Sequence, residues 1–288
     1  MLVLALAGLA AIAGCASPGR YEVEPWAEGP AGSRTLRTEH YAIHTTLADA
    51  ALRDDVAETL ERSRKLYDQL ADAPDDAELA PADAYVFAYR EEWAEHTRRT
   101  AGARAPLFLN ISRGGYAENG SFSTFFSGST AALLATCRHE GLHQHIERTY
   151  ATRPPPFLEE GLATLFEEGF DGNDLSRPLP SFERKRRLRD AVRRRRAWPL
   201  DELLQMHAGH VVGADDYRQV RTFYAQAWGF AHFLASEHEP GLRKLMTAYA
   251  GGYAPANIPA AFEESLGMNP RQLELAYEAH VRDLVGLN

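Results

Sequence analysis

At Ser129 the chain changes period. Upstream, short alternating apolar runs read as strands: residues 34–47 (RTLRTEHYAIHTTL), 82–89 (ADAYVFAY), 105–111 (APLFLNI) and 120–126 (GSFSTFF). Two helices are set among them. In 49–71 the residues Leu52, Val56, Leu60, Leu66 and Leu70 recur at helical spacing, with Asp49 placed to cap, and 90–100 forms the second. Downstream the strand signals stop. Helices are expected over about 129–150, 157–169, 181–196, 200–207, 215–238, 240–250, 258–266 and 270–285. A small mixed sheet followed by helices is an α+β pattern. The 288 residues are enough to bury a real core, and 45% of them are hydrophobic. The formal net charge of -9 argues against a general nucleic-acid binder.

The N-terminus carries an address. "MLVLALAGLAAIAGCASPGR" opens with an apolar run that stops at Cys15. At about a dozen residues it is short for a bilayer span and suits the apolar region of a signal peptide. "IAGC" resembles a bacterial lipobox, in which the cysteine is lipidated and becomes the first mature residue. By that resemblance residues 1–15 are a lipoprotein leader and Cys15 the lipid anchor. Ala16 after it implies the outer membrane, facing the periplasm. A plain secretion signal and a simple anchor are the other readings. Residues 16–34, rich in Pro, Gly and Ala, are expected to be a tether, and 35–285 the folded domain, with 35–170 holding sheet and site and 171–285 helical. With Cys15 lipidated, Cys137 has no disulfide partner, so packing or a metal must stabilise the domain.

The chemistry sits in "STAALLATCRHEGLHQHIERTYA", a helix with Ser129 at its N-cap. At 100° per residue His139 and His143 lie about 40° apart, one turn from each other. Both imidazoles can reach one ion. Glu140 stands about 100° from His139, beside such an ion, where a general base for a zinc-bound water belongs. Cys137 lies about 160° from His139 and reads as a core thiol; His145 is also off the ligand face, at the surface or behind a ligand. Two ligands make a poor zinc site, since catalytic zinc takes three protein ligands and one open position.

A second helix follows at "PPPFLEEGLATLFEE". Here the sequence resembles the gluzincin metallopeptidases, in which H-E-x-x-H precedes a helix with an aromatic-Leu-x-Glu-Gly-x-Ala signature. "FLEEGLA", Phe157 to Ala163, fits that signature. The resemblance makes Glu160 the third ligand of one Zn2+, with Glu159 in the variable place, and lets small Gly161 and Ala163 bring the two metal-bearing helices close. "RHEGLHQ", "FLEEGLATLFE", "WPLDELL" and "FYAQAWGFAHFL" occur in the order typical of the peptidase-MA-like family. The similarity spans roughly 35–285. Phe157 where Trp is commoner and the basic stretch "ERKRRLRDAVRRRR" depart from the pattern.

The resemblance implies a thermolysin-like core with the mixed sheet over the H-E-x-x-H helix, and an edge strand that pairs with an extended peptide. "APLFLNISRGGYAENGSFSTFF" is the candidate edge, or a plain surface hairpin. It implies hydrolysis of a peptide or protein substrate by a monomeric envelope enzyme, with Glu140 as base and a downstream Tyr or His stabilising the oxyanion. Tyr224 is the first candidate and His232 the second, although Tyr224 and Trp228 also fit a core face. Glu147, one turn beyond His143, could support a ligand imidazole or face solvent. The stretch 183–196 holds nine basic and two acidic residues, and suits anionic lipid, an acidic polymer or a solvated face. A different class of function also fits: an envelope lipoprotein whose zinc is structural and which acts as a binding module. Glu140 argues against that class, because a structural site has no use for it.

Overall fold

The structure, a computed structural model, describes residues 21–72, 79–206, 217–253 and 257–287. The leader and Cys15 lie outside them. Six strands come first: β1 (Glu22–Pro25), β2 (Arg34–Arg37), β3 (Tyr41–Thr45), β4 (Ala82–Phe87), β5 (Gly115–Glu118) and β6 (Ser121–Phe125). They form one mixed sheet in the order β1-β2-β3-β4-β6-β5. β3, β4 and β6 run parallel; the remaining pairs are antiparallel. Helices α1 (Ala50–Tyr67), α2 (Arg90–Thr100) and α3 (Ala105–Phe108) lie among the strands. Then come α4 (Thr130–Thr149), α5 (Pro156–Glu168), α6 (Phe182–Arg193), α7 (Leu200–Leu203), α8 (Tyr217–Ala250), α9 (Ile258–Leu266) and α10 (Pro270–Leu284). The α+β class and its order, sheet first and helices after, are as the sequence implies. α8 joins two expected helices across a kink at His238, two residues before Pro240.

Alternation decides which sheet face meets α4. Leu36, Ile43, Ala84 and Phe122 stand side by side across four strands, each fully buried. They pack on α1 and α4 with Val56, Leu60, Leu133 and Cys137. The opposite face places Phe87 and Phe125 against Trp93 of α2. Gln144 locks α4 to the sheet, donating to the carbonyls of Asp83 at 2.8 Å and Gly120 at 2.9 Å. The expected caps are formed: Asp49 accepts from the Ala51 amide and Ser129 from the Ala132 amide.

Three segments differ from expectation. Residues 34–47 make two strands, β2 and β3, that turn back at Glu39 and His40. Residues 105–111 are not a strand. Pro106 lacks a ladder N–H and fixes a helical φ, so the chain coils into α3. The strand lies in the Gly-rich connection instead, as β5, whose Tyr116 stacks on Phe108 with centroids 4.0 Å apart. It returns through Asn119 (φ 54°) and Gly120 (φ 70°), the left-handed pair of a tight hairpin. Finally, the outer part of the expected tether belongs to the sheet. Val23 of β1 pairs with Leu36, and Trp26 is buried against His44 and Phe87.

The helical half has its own core, centred on α5 and α8 and closed by α9 and α10. Phe157, Phe230 and Phe262 meet there, with the Phe230 and Phe262 rings edge to face. α5 is thus held between α4 on one side and α8 on the other, which fixes the position of its carboxylates.

Candidate metal centre

The prolines at 154–156 end the turn after α4, and Pro156 starts α5 where its missing N–H costs nothing. Glu160 on α5 then faces the flank of α4 that carries His139 and His143. Nε2 of His139 and Nε2 of His143 are 3.3 Å apart. Glu160 Oε2 stands 3.6 Å from the first and 3.8 Å from the second. A tetrahedral ion with bonds of ~2.0–2.2 Å needs its donors about 3.3–3.6 Å apart, so the spacing suits one ion. Among the described residues this is the more buried of two clusters whose donors lie close enough to hold a metal.

The chemistry of the donors points the same way. His139 Nδ1 is 3.0 Å from Glu167 Oε1, and His143 Nδ1 is 2.7 Å from Glu159 Oε1. A carboxylate only accepts, so each Nδ1 carries the hydrogen, and each Nε2, turned inward, is the nitrogen left to bind a metal. Glu160 Oε2 is buried and has no hydrogen-bond partner. Two Nε2 atoms and an orphaned carboxylate oxygen therefore converge on one point, which a bound cation, or protons on the imidazoles in its absence, would satisfy.

The local field has the same sign. Burial opposes charging of His139, but Glu160 and Glu167 outweigh it and hold its pKa well above the usual histidine range. Burial likewise opposes charging of His143, and Glu159 and Glu160 outweigh it. Burial would raise Glu159, Glu160 and Glu167, yet the two histidines, Arg153 and Arg184 bring all three below the ordinary carboxylate value. Arg153 Nε meets Glu159 Oε2 at 3.1 Å, and an Arg184 terminal nitrogen meets Glu167 Oε2 at 3.0 Å. Four carboxylates (Glu140, Glu159, Glu160, Glu167) face two guanidinium groups. That excess of carboxylates is a field that favours positive charge at the centre.

Glu140 is different. It lies on the sheet-facing side of α4, buried, beside β5: a Cβ built on Gly115 would come 3.1 Å from Glu140 Cγ. No hydrogen bond fixes it. Burial comes first among the causes that raise its pKa, with Glu160 and Glu167 adding and the two histidines opposing. It stands outside the converging donor set of His139, His143 and Glu160.

No family model matches this chain, and no curated protein matches it in sequence.

The remaining candidates divide. Tyr224 on α8 is half-buried, with the Arg184 guanidinium 5.8 Å from its ring centre. Its pKa rises with burial and then with the charges of Glu160 and Glu140, so it stands within electrostatic reach of the centre. His232 does not join them: its ring bonds His280 at 3.1 Å and lies tilted against Trp228, with ring centroids 5.3 Å apart. Burial, then His280, lowers its pKa to about 4. Eight residues beyond Tyr224, it has rotated away to face α10. Glu147 supports no imidazole. Its carboxylate accepts from the Asn119 and Gly120 amides at 3.2 and 2.9 Å, tying α4 to the β5–β6 turn. Cys137 is the expected core thiol, fully buried, its pKa pushed up to about 12 by burial. His145 is buried, with its ring 5.6 Å from that of Tyr67.

Sequence reasoning missed the imidazole supports Glu159 and Glu167 and their partners Arg153 and Arg184. Glu167 had a legible signal, since it follows Glu160 by seven residues and so shares its face of α5. Arg184 had none, because α6 meets α5 only through tertiary packing. Glu167→Gln is expected to keep the fold and weaken metal affinity about 10–100-fold, because His139 exchanges a charged acceptor for a neutral one and Arg184 loses its counter-ion. Competition with a calibrated zinc chelator measures this, and an unchanged affinity would remove Glu167 from the centre.

Proposed function

We propose that the protein is a zinc-dependent peptidase of gluzincin type with a thermolysin-like core, acting on peptides or proteins at the bacterial cell envelope. The observation that carries the reading is the position of Glu140. A buried carboxyl without a hydrogen bond lies beside three converging donors and against strand β5, on the open side of the sheet. A metal site serving only to join α4 and α5 has no need of it.

His139, His143 and Glu160 would hold the zinc, which when bound supplies a Lewis acid that acidifies water and polarises a carbonyl. Glu140 takes the proton of the attacking water and delivers it to the leaving amine nitrogen. Burial raises its pKa above the ordinary carboxyl value, which is the direction that a group accepting and then returning a proton requires. Glu159 and Glu167 keep the two imidazoles in the donating orientation. Tyr224 would donate its hydroxyl to the carbonyl oxygen as negative charge develops there, a role supported by its electrostatic coupling to Glu160 and Glu140. β5 ends the sheet, so one side of its backbone has no strand neighbour and would pair with an extended substrate, while the missing side chain of Gly115 lets Glu140 and β6 pack against it.

Lipid anchoring at Cys15 belongs to the same proposal and rests on the leader sequence alone. No helix among the described residues is long and apolar enough to cross a membrane.

Elemental mass spectrometry on the chain lacking residues 1–15, purified without added metal or a histidine tag, tests the centre. About one zinc per chain is expected, followed by zinc-dependent cleavage of a peptide library. Folded protein that holds no zinc even after reconstitution would overturn the hydrolase. Zinc without cleavage would favour the alternative, a binding module with a structural metal.

A further inference from the structure

Phe182 is the most exposed large apolar side chain among the described residues, at 83%. It opens α6, and Leu179, just before the helix, is also exposed. Ser181 beside the ring is buried and donates to Glu168 Oε1 at 2.7 Å, which fixes the start of the helix with the ring turned outward. At 100° per residue Arg186, Arg189 and Arg193 fall within about 40° of Phe182, in one stripe about 16 Å long. All three are exposed. The two acidic residues of the basic stretch serve the flank toward α8. Glu183 pairs there with Arg187 at 3.6 Å and Asp190 with Arg194, and both arginines line a cavity of about 320 Å³. In the outward stripe Arg189 donates to the Gly286 carbonyl at 3.1 Å, and none of the three arginines forms an ion pair among the described residues.

An exposed aromatic ring in line with three guanidinium groups is the composition of an interfacial membrane contact. The ring enters the headgroup layer and the cations meet lipid phosphates. A soluble acidic polymer would use the cations but has no use for the ring. The place in the fold favours the membrane too. Cys15, the proposed lipid anchor, lies six residues before Tyr21, the first described residue, and six residues reach at most about 22 Å. The Tyr21 hydroxyl donates to Asp54 on α1. Asp55, the next residue, lines a hollow of about 380 Å³ together with Leu179. The anchored end of the chain and the apolar approach to α6 therefore flank the same helix, and so short a tether brings that side of the domain to the bilayer. Arg184, which pairs with Glu167 at the metal centre, lies about 160° around α6 from Phe182, so the stripe can dock without disturbing it.

We propose that the outward stripe of α6, Phe182 with Arg186, Arg189 and Arg193, is a docking surface for an anionic phospholipid bilayer, and that it sets which side of the anchored domain faces the membrane. This rests on the envelope location proposed above, but not on the peptidase activity. The test uses the chain lacking residues 1–15. They precede the described fold and carry the proposed anchor, so any binding comes from the domain. Flotation measures its partitioning onto vesicles of phosphatidylethanolamine with about 30% phosphatidylglycerol, and onto phosphatidylcholine vesicles. The anionic vesicles should be favoured about 100-fold at low ionic strength, with the preference fading toward ~0.5 M salt. Arg186→Gln, Arg189→Gln and Arg193→Gln together should remove about a hundredfold, roughly fivefold per charge. Phe182→Ser should weaken partitioning about tenfold. All four side chains are exposed, so these variants fold. The control is Arg98→Gln with Arg99→Gln and Arg113→Gln, the same change of charge at exposed positions in the sheet half. It should stay within about threefold of the unsubstituted chain.

Failure to bind anionic vesicles, or equal binding to both kinds, overturns the proposal. So does a loss in the control as large as in the stripe, which would make the effect one of net charge. Binding that needs the three arginines but not Phe182, and that soluble polyglutamate abolishes, overturns it in favour of an acidic polymer. Acylation of Cys15 is read separately, by mass spectrometry of the full chain expressed in bacteria. Its absence counts against the anchor, and leaves the vesicle comparison to judge the stripe.

Discussion

Glu140→Gln is expected to cut kcat/KM by about 10²–10⁴-fold while zinc content and fold stay as they are. Gln keeps the shape that packs beside Gly115, so β5 has no reason to move. It lies outside the His139–His143–Glu160 donor set, so the metal has no reason to leave. What it removes is the proton acceptor. Stability gives a second readout. In the metal-free protein Glu140 has a folded pKa above its ordinary value, chiefly through burial. A carboxyl shifted that way favours the protonated state in the fold. Its contribution to stability is therefore greatest at low pH and falls as pH rises through and beyond the ordinary carboxyl range. Gln carries no charge to bury. The variant should match the wild type in acid and exceed it in Tm at neutral pH, as thermal melts across pH would record. Retained turnover would remove Glu140 as base and leave the binding-module reading; loss of zinc together with turnover would make it part of the metal shell.

The sequence carried the site's first layer and little behind it. His139, Glu140 and His143 were legible because helical spacing alone sets their angular relation, and any helix over 129–150 must produce it. Glu160 was legible only through resemblance, because its distance from the histidines depends on how α5 folds back. The supports were not legible as such. Glu159 and Glu147 are both glutamates near the motif, and spacing favoured Glu147. The structure gives the imidazole to Glu159 and uses Glu147 to fasten the β5–β6 turn. The edge strand was misplaced for a similar reason. "APLFLNI" is more apolar than "GYAE", yet Pro106 turns it into a helix, and β5 draws its place from pairing with β6 rather than from its own residues. In the basic stretch composition suggested one surface. Packing divides it into an arginine that serves the metal centre, a cavity lining and an outward stripe.

Gly161→Ala should lower Tm by several degrees and kcat by about a hundredfold, although Gly to Ala within a helix ordinarily stabilises by roughly 1 kcal/mol. The sequence placed Gly161 where α4 and α5 meet; the structure places it against α8. A Cβ there would lie 2.4 Å from the Ala227 carbonyl oxygen and 2.9 Å from its carbon. These are backbone atoms in the middle of a helix, so relief requires α5 and α8 to separate. Overpacking of this kind costs about 1–3 kcal/mol, occasionally more, which exceeds the helix-propensity gain. For a domain of this size each net kcal/mol lowers Tm by about 2–4 °C. The kinetic effect follows from the neighbours. Glu160 precedes the glycine on α5, and Tyr224 lies one turn before Ala227 on α8. Forcing the helices apart would displace Glu160, the proposed ligand, relative to Tyr224, the proposed oxyanion donor, and about 1 Å of misplacement suffices for a hundredfold loss. Gly251→Ala is the control: its Cβ would meet nothing closer than 3.4 Å, so it should leave both Tm and turnover nearly unchanged. Should Gly161→Ala instead raise Tm with turnover intact, α5 and α8 are not in backbone contact at this point, and some other contact must hold Glu160 at its distance from the histidines.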